Sequence, residues 1–148
     1  MEHVNWLSVV LATLIPMIIG FIYYNPKVIG TAWMNSLGIT EEDIKNNQGN
    51  MAVTFGVSLV MSFFLTFFLI NFNNSPGQEG EFDTFGHGAF HGFFLAVVVA
   101  LPVLITNGLF EMKNWKNLII NAVYWIIAMA LMGGILDAMN HWPNAYPS

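Results

Sequence analysis

The stretch HGAFHG, residues 87–92, places two histidines four residues apart at the start of a long apolar segment. Residues at this spacing lie on the same face of a helix, so both imidazoles would project together. Such a pair can supply two ligands to Zn²⁺ or a similar divalent ion. A third ligand is predicted at the same end of the protein, from Asp137, Asp83 or His141.

Two other interpretations fit the same pair. Histidine has an apolar ring and a polar tip, which suits a membrane interface, and its near-neutral pKa suits proton relay or pH sensing. No metalloprotease glutamate stands beside the histidines. We therefore expect interfacial histidines and no cofactor. The alternatives are pH sensing and a divalent metal such as Zn²⁺ at His87, His91, His141 and Asp137.

The composition indicates that these side chains are carried by helices in a lipid bilayer. Hydrophobic residues make up 55% of the 148 residues and charged residues only 9%, whereas about a quarter of the residues in soluble domains are charged. The absence of cysteine excludes disulfides, thiolate metal sites and cysteine nucleophiles. A net charge of −5, with four lysines as the only basic residues besides histidine, argues against nucleic-acid binding. We expect no enzymatic activity, since no phosphate-binding loop or nucleophile elbow is present.

Four segments reach the roughly 20 apolar residues that a membrane crossing needs, namely 4–24, 51–72, 85–106 and 118–139. They predict one all-α domain, a polytopic membrane protein with a four-transmembrane-helix bundle. The first segment lacks a cationic start and a cleavage site, so we expect it to remain as a span. All four lysines lie in the first and third loops. The positive-inside rule therefore predicts that these loops are cytoplasmic and that both termini lie outside the cytoplasm.

The first loop is predicted to contain a short helix lying on the membrane surface. Apolar residues recur at helical spacing after Pro26, and Gly38 would end the helix. Thr40 with Asp43 resembles a capping box for a second short helix. The alternative is an irregular loop anchored by Trp33. The apolar positions are Val28, Ile29, Ala32, Trp33 and Leu37.

Each predicted span carries a row of small residues at a spacing of four, which suits close helix packing in lipid. The hydroxyl row of the second span predicts interhelical hydrogen bonds, with a polar path for a solute as the alternative. Pro16 and Pro102 would kink the first and third spans. The rows are Ser8, Ala12, Pro16 and Gly20, then Thr54, Ser58, Ser62 and Thr66, then Gly88, Gly92, Ala96 and Ala100, and finally Ala122, Ala130, Gly134 and Ala138.

Two loop stretches are the most distinctive parts of the sequence: YYNPKVIGTAWM at 23–34 and LFEMKNWK at 109–116. With Asn5-Trp6, Asn121 and Gly133-Gly134, they resemble the small bacterial integral membrane proteins grouped as domain of unknown function 1761. The resemblance covers essentially the whole chain. It implies four transmembrane helices in a bacterial cytoplasmic membrane and no assigned activity. It also implies that a site shared by the family would lie in these loops, at Tyr24, Pro26, Trp33, Glu111 and Trp115.

Three functions remain open at this point. The small-residue rows favour a membrane protein that acts by self-association or as an accessory subunit. The prolines and the hydroxyl row suggest, as an alternative, a transporter or channel for a small solute or ion. The third is a metal-binding or pH-sensing membrane protein that uses the outer-face histidines. The expected partners are the lipid bilayer and a second copy or another membrane protein.

Overall fold

The computed structural model describes residues 4–46, 51–73 and 83–141, and every regular element within them is helical. The predicted all-α class is therefore confirmed. Two π-helical turns, Pro26–Gly30 and Ala96–Ala100, precede α2 and join α5 to α6. The helices are α1 Trp6–Tyr23, α2 Thr31–Leu37, α3 Glu41–Asn46, α4 Met51–Asn73, α5 Phe85–Leu95, α6 Leu101–Phe110 and α7 Trp115–Met139.

Four helical segments are long and apolar enough to cross a membrane, so the chain is a multi-pass membrane protein. The third span, Phe85–Phe110, consists of α5, a π turn and α6, and it continues past the predicted end at 106. The fourth begins at Trp115 rather than 118 because the Asn114 side chain caps it, accepting from the backbone N–H of Asn117. The first and second spans are α1 and α4.

Helix α7 occupies the centre of the bundle. In its apolar stretch 44% of the residues are buried, against 28% for α1, 22% for α4 and 17% for the third span. The three other spans pack around α7, so their outward faces remain for lipid. The core between them contains Val9, Ala12, Leu69, Ile70, Leu95, Ala96, Met129, Met132 and Leu136.

Helices α5 and α7 touch through their backbones. A Cβ atom added to Gly88 would overlap the carbonyl group of Gly133, and one added to Gly92 would overlap that of Met129. The Phe85 ring lies against Gly134 in the same contact. The small-residue rows of the third and fourth spans thus allow the two backbones to approach closely, which is how helices gain packing energy in lipid. Among the alanines of these two rows, Ala96 is buried and Ala130 is half-buried.

The hydroxyl row of α4 connects this helix to α1. The Ser62 hydroxyl donates to the Thr13 carbonyl oxygen over 2.6 Å, and the Thr13 and Thr66 hydroxyls are 3.3 Å apart. Ser58, which the spacing places in the same packing row, is exposed together with Thr54. The reason is that only the carboxyl-terminal half of α4 has buried residues. Ser62 and Thr66 thus make the predicted interhelical contacts within the part of the chain that the structure describes.

The two prolines act differently on their helices. Pro16 lies inside α1, and the Tyr124 hydroxyl donates to its carbonyl oxygen over 2.7 Å. Gly20 contacts the same tyrosine. Pro102 follows a π turn, which accommodates a ring that would otherwise collide with the preceding helical turn. Helix α1 is thus α-helical throughout, whereas the third span stays one continuous helix that includes a π turn at its middle.

The first connection has the predicted short helices and caps. Gly38 ends α2 in the left-handed conformation, with φ of 68°. Thr40 and Asp43 form a reciprocal capping box at the start of α3, each side chain accepting from the other residue's backbone N–H. The Thr40 hydroxyl also donates to Oδ2 of Asp43 over 2.7 Å, and this bond together with the one from the Thr40 backbone N–H lowers the pKa of the exposed Asp43 carboxyl. Helix α2 begins only at Thr31, because the π turn occupies the residues after Asn25.

The substitution Gly92→Ala should lower the stability of the bundle. The added Cβ would meet the Met129 backbone, which cannot move aside as a flexible side chain could, and overpacking of this kind costs about 1–3 kcal/mol. Gly56→Ala is the matched control, because nothing lies within 4 Å of a Cβ at that position. Thermal unfolding in mild detergent tests this; equal midpoints for the two variants would contradict the backbone contact.

Candidate functional site

Two histidines and a carboxylate meet at the end of the bundle where α4 ends and α5 begins. One ligand atom from each of His87, His91 and Asp137 can be chosen so that all lie within 4.8 Å of one another. We call these residues the histidine cluster. His91 and Asp137 are buried and His87 is half-buried. The cluster forms because the glycine contact brings α5 onto α7: a Cβ at Gly88 would also overlap the Cβ of Asp137.

The hydrogen bonds of Asn73 define the tautomer of His91. The amide nitrogen of Asn73 donates to the Gly133 carbonyl oxygen over 3.4 Å, which turns its Oδ1 towards Nδ1 of His91, 3.1 Å away. An amide oxygen can only accept, so Nδ1 carries the proton and the lone pair is on Nε2. Metal-binding histidines have this arrangement, with one ring nitrogen donating to a fixed acceptor and the other available to the ion.

His87 is oriented by Asp137 in the same way. Its Nδ1 lies 2.9 Å from Oδ2 of Asp137. When Asp137 is ionised its carboxylate only accepts, so Nδ1 then donates and the lone pair lies on Nε2. The two imidazole rings are 4.1 Å apart between centroids. The Asp137 side chain is 2% exposed and that of His87 is 23% exposed. The cluster is therefore reached from outside the bundle through His87.

This end of the bundle buries two carboxyl groups. The carboxylates of Asp137 and Asp83 are 2% and 3% exposed, and their ionic partners are imidazoles, His87 at 2.9 Å and His141 at 3.7 Å. All four lysines lie at the opposite end, in the connection between α1 and α4, the loop after α6 and the first turn of α7. Burying a carboxylate beside neutral groups is costly. Protons on the imidazoles or a bound divalent cation would compensate this charge.

His141, a predicted metal ligand, lies outside the cluster. Helix α7 ends at Met139, and Asn140 is extended, with φ of −121° and ψ of 127°. The chain therefore leaves the helical path before His141, whose side chain is 77% exposed and faces Asp83. His87, His91 and Asp137 come together as a set, and His141 is separate from them.

At the opposite end, a chain of side-chain hydrogen bonds ties the first loop to α7. The Tyr24 hydroxyl donates to Oδ1 of Asn121 over 2.8 Å, and the Asn121 amide donates to Oδ1 of Asn117 over 3.0 Å. The Asn117 amide then donates to the Ser36 hydroxyl over 3.1 Å. Asn117 is 1% exposed. We call Tyr24, Asn121, Asn117 and Ser36 the loop network.

The residues around Tyr24 explain the distinctive first-loop motif. The Tyr24 ring packs on Trp33 and Tyr124, with centroid separations of 5.2 and 5.1 Å. Pro26 begins the π turn, and Gly30 ends it against the Tyr24 carbonyl, where a Cβ would not fit. Tyr24, Pro26 and Trp33 therefore hold the loop in place against α7.

The other two residues implied as a shared site lie apart from the loop network. Glu111 pairs with Lys113 at 2.5 Å, and both side chains are largely solvent-accessible. Trp115 is 62% exposed at the first position of α7. The implied set is thus divided: Tyr24, Pro26 and Trp33 pack together, whereas Glu111 and Trp115 are on the surface.

Sequence reasoning missed Asn73, Asn117 and Ser36 as site residues. Each is polar within or beside an apolar helix, which is a detectable signal, because such groups need partners in lipid. The partners themselves are not detectable: Asn73 reaches His91 across the second loop, and Ser36 reaches Asn117 from the first loop.

Comparison with known proteins gives one match. A family model described as "Protein of unknown function (DUF1761)" matches residues 7–137, which include the histidine cluster and the loop network. No curated protein and no solved structure matches the chain.

The substitution Asn117→Leu should destabilise the protein. It leaves the Asn121 amide and the Ser36 hydroxyl without this buried partner, at a cost of about 1–3 kcal/mol. Asn71→Leu is the control, because Asn71 is exposed on α4 and bonds only its own helix at Phe67 among its described hydrogen bonds. Unfolding in detergent measures both; an unchanged Asn117→Leu midpoint would show that the loop network adds no stability.

Proposed function

We propose that this chain, which belongs to the DUF1761 family of proteins of unknown function, binds a divalent transition-metal ion at the histidine cluster. Zn²⁺ is the best match, because two imidazoles and a carboxylate are among its usual ligands. The observation that carries the proposal is the approach of three such ligand atoms to within 4.8 Å of one another. A fourth coordination position would remain for water or a substrate, as in catalytic zinc sites.

Small side-chain movements are enough to form the site. At zinc–ligand bonds of about 2.0–2.1 Å, neighbouring ligands of a tetrahedral ion are about 3.4 Å apart. The limit of 4.8 Å among the three atoms is moderately longer. His87 and Asp137 would also give up their mutual hydrogen bond to bind the ion together, so forming the site would take rotation of both side chains on fixed helices. The glycine contact between α5 and α7 holds the backbone of both helices while this happens.

The surroundings of the cluster favour a cation. Asn73 orients the imidazole of His91, and such supporting residues raise metal affinity about 10–100-fold in other proteins. The carboxylates of Asp137 and Asp83 are buried at this end without a lysine. A bound divalent ion would replace the protons that the imidazoles otherwise need to balance this charge. Metal affinity should therefore fall as the pH falls and the histidines become protonated.

Self-association and an accessory-subunit role remain separate proposals. The glycines in the small-residue rows of the third and fourth spans pack α5 against α7 within one chain, so they are not exposed to a second copy. Ser58 remains exposed on α4, where a second copy could pack in the manner that the small-residue row predicts. Transport of a small solute or ion also stays a prediction.

We further propose that the protein lies in a bacterial cytoplasmic membrane with the histidine cluster facing away from the cytoplasm. The four lysines all lie in the first and third loops, at the opposite end from the cluster. The positive-inside rule assigns lysine-bearing loops to the cytoplasmic side.

The double variant His87→Ala with His91→Ala should lose Zn²⁺ binding, and Asp137→Asn should weaken it strongly. Asn73→Ala, which removes only the support of His91, should weaken it by about 10–100-fold. The measurement is zinc content per chain after equilibration of the purified protein with buffered Zn²⁺. His141→Ala is the control and should bind as the parent does, because His141 is outside the cluster. A parent chain that takes up no zinc would overturn the proposal, as would equal uptake by the double variant.

Single-cysteine labelling tests the orientation. The chain has no cysteine of its own, so His141→Cys and Lys116→Cys each introduce one reactive thiol, at opposite ends of α7. A membrane-impermeant maleimide should label the first in intact cells and the second only after permeabilisation. The opposite pattern would place the histidine cluster on the cytoplasmic side.

A further inference from the structure

A groove of about 540 Å³ opens between α4 and the second half of the third span, with α7 as its floor. Along it the third span passes through the π turn at Ala96–Ala100 and then Pro102. Its walls are apolar and lie within three membrane-spanning segments. They include Leu65 and Phe68 from α4, Val99 and Val103 from the third span, and Trp125 and Met129 from α7.

One end of the groove is charged. Glu111 and Lys113, which follow α6, complete its lining, and their side chains pair at 2.5 Å while remaining 57% and 39% exposed. The groove therefore consists of an apolar slot at membrane depth that ends in adjacent negative and positive groups where the span ends. An amphipathic molecule with an apolar chain and a zwitterionic head has this same arrangement.

We propose that the groove binds one acyl chain of a phospholipid with an ethanolamine headgroup, which Lys113 and Glu111 hold. The lipid phosphate accepts from the Lys113 ammonium, and the ethanolamine ammonium donates to the Glu111 carboxylate. A glycerol headgroup supplies no cation for Glu111, and a choline headgroup has no N–H to donate. The proposal is independent of the metal site, which lies at the other end of the bundle.

The size of the groove favours a lipid chain over a helix of a second copy. An α-helix with its side chains is about 10–12 Å across. A volume of about 540 Å³ would hold only a little over one turn of such a cylinder, whereas an acyl chain is thin enough to lie along the slot.

Lipid retention measured by native mass spectrometry tests the proposal. The full chain is reconstituted in vesicles with equal parts of phosphatidylethanolamine, phosphatidylcholine and phosphatidylglycerol and then released into mild detergent. The parent should retain one phosphatidylethanolamine per chain, at least fivefold above the other two lipids. Ala100→Phe, which fills the groove, should reduce this at least fivefold. Val98→Phe is the matched control on an exposed, non-lining position of the same turn and should leave retention unchanged.

A variant of the headgroup contact distinguishes a specific lipid site from an apolar surface that binds any lipid. Glu111→Gln should remove the preference for phosphatidylethanolamine over phosphatidylglycerol while the acyl chain still binds. The Glu111 side chain is 57% exposed, so the fold should tolerate the change. Equal retention of the three lipids by the parent would overturn the proposal. Retention of a second copy in place of lipid would do so too, as would equal loss from the Ala100→Phe and Val98→Phe variants.

Discussion

The backbone contact between α5 and α7 is the constraint on which the rest of this bundle depends. Helices in lipid gain little from burying apolar surface against each other, so association depends on how closely they can pack. Gly88, Gly92 and Gly133 remove the side chains that would keep these two backbones apart. Once α5 lies on α7, the position of every group on its inward face is determined, including the two imidazoles one turn apart.

Asparagine side chains attach α1 to α7 at both ends. At one end the Asn140 amide donates to the Ser8 hydroxyl over 2.8 Å, and its Oδ1 accepts from the backbone N–H of Asn5 over 2.7 Å. At the other end Asn121 accepts from Tyr24. Polar groups at these depths have few alternatives to protein partners. Helices α1, α5 and α7 are thus held together, while the part of the third span beyond the π turn lines the groove.

Properties that depend on local sequence were predictable, and those that depend on distant partners were not. Hydropathy predicts the four spans, Gly38 predicts the end of α2, and Thr40 with Asp43 predicts a capping box, because each signal lies within a few residues. The pairing of His87 with Asp137 was one of several alternatives, since a period of four shows which residues share a face but not what faces them. Ser58 shows the same limit: its row is regular, but α4 has no buried residue that early.

The distribution of charge connects the two ends of the molecule. Lysines are confined to the connection between α1 and α4 and to the junction of α6 with α7, whereas the buried carboxyl groups and their imidazoles lie at the other end. Lysine, which stays charged at neutral pH, would form a purely structural ion pair with a carboxylate equally well. Imidazole differs because it can give up its proton and present a lone pair in its place. Histidine beside a buried aspartate therefore suits the proposed site, in which a proton or a metal ion from solution would balance the carboxylate.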